Sequence, residues 1–171
     1  MVTSVKESFS IFRIAKKEYI VDNTGEGSFL YGGRWNPKGY RVVYAAESRS
    51  LALCEHLSNL GVNILLPNLY IVEIIIPEKI SVLELSAKNF PEDWRKTLSS
   101  YCEGMGLSWL ADAKTCIMKV PSAVIPEEYN YVINPLHSEA KNIKFTPPKK
   151  YNVDGRLLDL INKDYSSSPK E

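Results

Sequence analysis

Residues 22–40 place the tightest limit on what this chain can fold into. They are rich in glycine, asparagine, aspartate and proline, and they separate two short apolar runs. Such a stretch extends neither neighbouring strand, so it reads as one long loop, and loops of that length inside compact domains are usually functional. At its heart stands Gly32-Gly33-Arg34-Trp35-Asn36-Pro37-Lys38-Gly39. Two glycines let the backbone turn sharply and approach a ligand. The planar five-donor fork of an arginine suits phosphate. The tryptophan offers a stacking face, and Asn-Pro with Lys-Gly closes the loop as a turn. A domain does not need that combination merely to fold.

Around the loop, the pattern predicts short elements of both kinds. Residues 9–14, 41–46, 69–76, 80–85, 116–120, 129–133 and 143–145 read as strands, the surest being the β-branched run at 69–76. Ser48 or Ser50 caps a helix through about residue 60, with Gly61 as its stop. On that helix Leu53, Cys54, Leu57 and Leu60 share one arc, and Glu55 falls at its rim beside Leu51. That position suits a carboxylate lining a cleft and equally a solvated charge. Residues 91–95 open a short helix, residues 103–113 form another, and residues 123–126 are extended. Strands and helices without regular βαβ alternation indicate an α+β fold. A length of 171 residues fits a single compact domain. That domain is expected over residues 1–150, followed by a partly disordered extension at 151–171 with a helix around 157–161.

Charge and composition narrow the function. A formal net charge of +1 supplies no field for recruiting nucleic acid. No apolar run reaches the ~18 residues of a membrane span, and the first residues lack the shape of a secretory signal. A cytoplasmic protein is expected. Cys54, Cys102 and Cys116 stand far apart and read as reduced thiols. His56 and His137 lack ligand spacing to any cysteine, so no metal site is expected. Walker A, G-x-G-x-x-G, H-E-x-x-H and G-x-S-x-G motifs are all absent.

What remains is a constellation: Arg13 near the end of the first strand, Arg34 in the glycine loop, Tyr44 on the next strand, Glu55 on the next helix, and Ser122 after a strand end. These types could hold a phosphorylated, aromatic ligand, with guanidinium for charge, rings for stacking and a carboxylate for a sugar hydroxyl. Each also has a plain role open to it: Trp35 and Tyr44 as core rings, Glu55 as a solvated charge, Ser122 as a turn cap.

The order of these blocks resembles the RES domain family, named for a motif arginine, glutamate and serine. The resemblance rests on Phe12-Arg13-Ile14-Ala15, Gly25-Glu26-Gly27, the block from Gly32 to Gly39, Val43-Tyr44-Ala45-Ala46-Glu47-Ser48, and Leu51-Ala52-Leu53-Cys54-Glu55. Further blocks are Ile74-Ile75-Ile76-Pro77, Trp94-Arg95, Gly106-Leu107-Ser108-Trp109-Leu110, Val120-Pro121-Ser122-Ala123-Val124-Ile125-Pro126 and Asn130-Tyr131-Val132-Ile133-Asn134-Pro135-Leu136-His137. Together they run from about residue 10 to 145. One departure is Ala45-Ala46, where family members often carry Thr-Ser.

The resemblance implies an ADP-ribosyltransferase-like fold and the toxin of a toxin–antitoxin pair that consumes NAD. NAD is then substrate, and no cofactor is implied. Arg34, Glu55, Tyr44 and Ser122 become the catalytic set. Arg13, Gly33, Arg34, Trp35 and Tyr44 become the dinucleotide-binding set. In that role Arg34 clamps a phosphate, helped by Arg13, and Glu55 bonds a ribose hydroxyl. Tyr44 and Trp35 stack on nicotinamide, and Ser122 bonds the carboxamide or ribose. The implied partner is an Xre-type antitoxin that occludes the site; a homodimer is left open. Two other classes stay open: transfer of ADP-ribose to a macromolecule, and a non-catalytic nucleotide- or RNA-binding module using Arg34, Lys38, Arg41, Trp35 and Tyr40.

Overall fold

The computed structural model describes residues 2–4, 7–59, 68–96, 100–157 and 159. The chain runs β1 (Val2–Ser4), β2 (Phe9–Lys16), α1 (Glu26–Tyr31), β3 (Val43–Ala46), α2 (Arg49–Ser58), β4 (Leu69–Ile76), β5 (Ser81–Glu84), α3 (Ser100–Asp112), β6 (Ile117–Pro121), β7 (Tyr129–Ile133), β8 (Lys144–Phe145) and β9 (Lys149–Lys150). Single 3-10 turns lie at Ala87–Asn89 and Ala140–Asn142.

The strands form one sheet in the order β1-β5-β6-β7-β3-β2-β4-β8, with β9 also pairing β4. Among the described strands, only β5 and β6 run parallel. β-branched side chains fit a pleated surface, and β4 pairs with β2 along eight residues, from Phe9 opposite Ile76 to Lys16 opposite Leu69. Alternation then sorts the strand residues by face. Ile11, Ile74, Ile117 and Ile133 pack on one side. Phe12, Ile14, Met118, Val120 and Val132 pack on the other, beneath α2 and α3. Cys116, fully buried just before β6, has its thiol pushed up to about 12 by burial and by the charge of Glu139.

Four local expectations change. The stretch 22–40 is not loop throughout: α1 forms within it, because Asp22 Oδ2 accepts from Gly27 N at 3.1 Å and Ser28 Oγ donates to Val42 O at 2.7 Å. Residues 91–95 make turns rather than a helix, and residues 123–126 bend rather than extend. α3 begins at Ser100, three residues before the expected start. Residues 155–157 are helical, and most of the expected disordered tail lies outside the described residues. Among the described residues, no helix is long and apolar enough to cross a membrane.

Candidate active site

A cleft of about 770 Å³ opens on the helix-bearing side of the sheet, within the size range of ligand sites. Arg13, Gly33, Arg34, Trp35, Tyr44 and Glu55 all contribute to its wall.

Glu55 reaches it from α2. That helix starts where Ser48 Oγ accepts from Leu51 N at 3.0 Å. Its buried residues are Leu51 and Ala52, so the inward side is rotated from the expected arc, in which Leu53 and Cys54 are only half-buried and Leu60 lies outside the described residues. One turn beyond Leu51, Glu55 therefore faces the sheet. Its Oε1 accepts from Ser122 Oγ at 2.7 Å and from Asn130 Nδ2 at 2.5 Å. Oε2 has no bond among the described residues.

Ser122 has a role different from the one expected. It is fully buried, and its Oγ accepts from Val124 N at 3.0 Å and Ile125 N at 2.9 Å. Both lone pairs are thereby occupied, which leaves the hydroxyl proton for Glu55 alone. Ser122 orients the carboxylate and does not face the cleft as a ligand contact.

Trp35 is also corrected. The residue is 3% exposed, and its ring packs with Trp94 and Trp109, its centroid 6.1 Å from that of Phe90. The indole anchors the loop in the core, so its face is not available to a ligand. Packing there is close: a Cβ on Gly106 of α3 would stand 1.7 Å from Trp35 O.

Tyr44 lines the cleft with its ring and spends its hydroxyl inside the loop. The hydroxyl donates to Asn36 Oδ1 at 2.6 Å and accepts from Trp35 N at 3.1 Å. Burial raises its pKa well above the usual tyrosine value, so it stays protonated. Gly33 is required by this ring: a Cβ there would meet Tyr44 Oη at 2.7 Å. Asn36, fully buried, donates to Ser28 O, Pro37 O and Tyr40 O and so closes the turn.

The arginines are tethered by backbone. Arg34 Nη1 donates to Trp94 O at 2.9 Å and Lys96 O at 3.0 Å, and Nη2 donates to Arg95 O at 3.3 Å. Nε–H and one Nη2–H keep no partner among the described residues, enough for one bidentate grip. Arg13 donates to Asp22 O and Tyr19 O. Burial lowers its pKa, and Asp22 opposes that shift. Arg95, whose Nε donates to Ala123 O at 2.9 Å, also lines the cleft. Cation outweighs anion in this wall.

Arg95, Asn130 and His56 were not singled out for chemistry from sequence. Arg95 and Asn130 stand inside blocks that match the RES pattern, which is the signal that could have found them. His56 adjoins Glu55, and its Nε2 is buried without a partner among the described residues. Burial and then the charge of Lys16 lower its pKa.

The fold is an α+β arrangement around one mixed sheet. It resembles a chain in the crystal structure of the M. tuberculosis MbcT–MbcA toxin–antitoxin complex, with a TM-score of 0.69 at 17% identity over 96% of this chain and 92% of that one. The RES domain pattern matches residues 10–154. A Prs ADP-ribosylating toxin of Sphingobium sp. strain YBL2 is 36% identical over 155 residues, covering 87% of this chain and 96% of the relative. A Toxin Res of Photorhabdus laumondii is 33% identical over 152 residues, covering 86% and 96%. The chain belongs to the RES domain family and groups with its toxins.

Proposed function

We propose that this chain is the toxin of a toxin–antitoxin pair and that it breaks the nicotinamide–ribose bond of NAD in the cleft described above. One observation carries the reading: Glu55 is held through a single carboxylate oxygen by Ser122 and Asn130, with its other oxygen unbonded among the described residues, in the cleft that Arg34 also lines.

Chemistry supplies the rest. Cleavage passes through an oxocarbenium-like ribose, as in glycoside hydrolysis. The pyridinium nitrogen takes the electron pair of the broken C–N bond, so nicotinamide leaves neutral and needs no general acid. The protein has to position the dinucleotide and offset positive charge growing on the sugar. Glu55 does the latter and bonds a ribose hydroxyl. Its two donors fix it in place beforehand, and preorganised groups of this kind are worth on the order of 10²–10³ in rate. Arg34 grips the diphosphate with its two remaining donors, Arg13 adds charge, and the Tyr44 ring stacks on nicotinamide. Water or inorganic phosphate completes the reaction at the anomeric carbon. NAD is the substrate and no cofactor is called for. The partner is an antitoxin protein of the Xre type that covers the cleft; the toxin–antitoxin complex of similar fold supports an antitoxin partner.

A second reading changes only the acceptor. The name of the Sphingobium relative, an ADP-ribosylating toxin, favours transfer of ADP-ribose to a protein.

Purified chain incubated with NAD, with and without phosphate, should release nicotinamide, and the accompanying sugar product names the acceptor. Adenylate-labelled NAD that marks protein would select the second reading. Glu55→Gln should keep the fold and abolish release. Intact NAD in the wild-type reaction, or full turnover by Glu55→Gln, refutes the proposal.

A further inference from the structure

Away from this cleft, the fold gathers three metal-binding side chains that the sequence keeps apart. Cys116 precedes β6, while His137 and Glu139 follow β7. Pairing of Ile117 with Ile133, continued by Asn134 N donating to Cys116 O at 2.9 Å, brings the two segments together. One donor atom from each of Cys116, His137 and Glu139 lies within 4.8 Å of the others. No metal was expected from sequence, because neither histidine has ligand spacing to a cysteine. The proximity comes from strand pairing and leaves no spacing motif.

We propose that Cys116, His137 and Glu139 bind one zinc ion, with water as fourth ligand, and that this ion ties the start of β6 to the segment after β7. Thiolate sulfur, imidazole nitrogen and carboxylate oxygen form a donor set suited to zinc, and three protein ligands leave its tetrahedral shell open at one position. The thiolate and the carboxylate together match the ion's charge.

The outer shell is already built. Glu139 Oε2 accepts from Ser81 N at 2.9 Å and Ser81 Oγ at 2.5 Å, which fixes the carboxylate and leaves Oε1 without a bond among the described residues. Ser81 Oγ also accepts from Cys116 N at 2.9 Å, so one hydroxyl orients two of the three ligands. His137 Nδ1 accepts from Glu139 N at 3.2 Å, a bond that ligation through Nδ1 would replace. Nδ1 stands 3.9 Å from Glu139 Oε2. His137 borders a second cleft of about 900 Å³. Strand β6 separates this cluster from Ser122 by about 20 Å. The site therefore stands whether or not the NAD reading does.

The chain, stripped with chelator, is dialysed against micromolar Zn²⁺ and, separately, Co²⁺. One equivalent should bind, Co²⁺ should give a thiolate charge-transfer band in the near ultraviolet, and Zn²⁺ should raise the melting temperature. Cys116→Ser and His137→Gln should each weaken binding by roughly tenfold or more, whereas Cys54→Ser should leave it unchanged. Absence of stoichiometric binding, bound Co²⁺ without a thiolate band, or undiminished binding in both ligand variants overturns the proposal. Should a ligand variant unfold, the Co²⁺ band and the Zn²⁺-dependent melt of the wild-type chain decide alone.

Discussion

Ser122→Ala separates a positioning serine from one that touches the ligand. The hydroxyl makes three bonds: two accepted from Val124 N and Ile125 N, and one donated to Glu55 Oε1. The site is fully buried, so water does not replace it. Two stranded amide donors, at ~1–3 kcal/mol each, predict a loss of about 2–6 kcal/mol in unfolding free energy. Glu55 keeps only its bond from Asn130. A hydrogen bond to a charged group is worth ~1.5–3 kcal/mol. Where that charge is used to stabilise a transition state, kcat should fall roughly 10- to 100-fold with little change in KM. Denaturant melts give the first number and steady-state nicotinamide release the second. A folded variant with unchanged kcat would refute the positioning role. A raised KM at constant kcat would instead put the hydroxyl in contact with substrate.

Other perturbations probe the loop and the helix beside it. Arg34→Lys keeps the charge but loses the fork, so KM for NAD should rise roughly tenfold or more; unchanged KM would remove Arg34 from the diphosphate. Gly106→Ala puts a methyl 1.7 Å from Trp35 O. It should destabilise by about 1–3 kcal/mol and lower turnover, although alanine is the better helix former by ~1 kcal/mol; an unchanged melt refutes the close contact. For His56, whose folded pKa lies below the unfolded value, the unfolded chain binds its proton first on acidification. Its contribution is present above pH ~6.5 and is lost as pH falls through the folded value. Stability measured from pH 8 to 5 should decline at the acid end, and His56→Gln should flatten that decline.

What could be read from the chain followed periodicity and chemistry-bearing blocks. The 69–76 strand was legible because β-branched residues crowd it up to a proline stop. The shared cleft of Arg34, Tyr44 and Glu55 was anticipated because the resemblance links their blocks. The fate of individual side chains was not legible. Trp35 reads as a stacking ring in a loop, yet Gly106, far along the chain, lets α3 approach and draws that indole inward. Ser122 reads as a turn residue or a ligand contact. Whether its proton meets a substrate or Glu55 depends on the bend at 123–126, which local propensity reads as extended. Helix α1 depends on Asp22 and Ser28 reaching across a segment whose composition signals only loop. The Cys116–His137–Glu139 cluster depends on a strand register that spacing cannot disclose.

The grip of three consecutive carbonyls on Arg34 makes its aim a property of the 94–96 main chain. Any side chain that preserves that backbone path serves equally well at positions 95 and 96 for this purpose, so natural variation there can be wide without disturbing the guanidinium. A substitution that redirects the path swings the cation away while leaving every residue of the glycine loop intact. Inactivating changes should then surface outside the glycine loop, at the 94–96 turn.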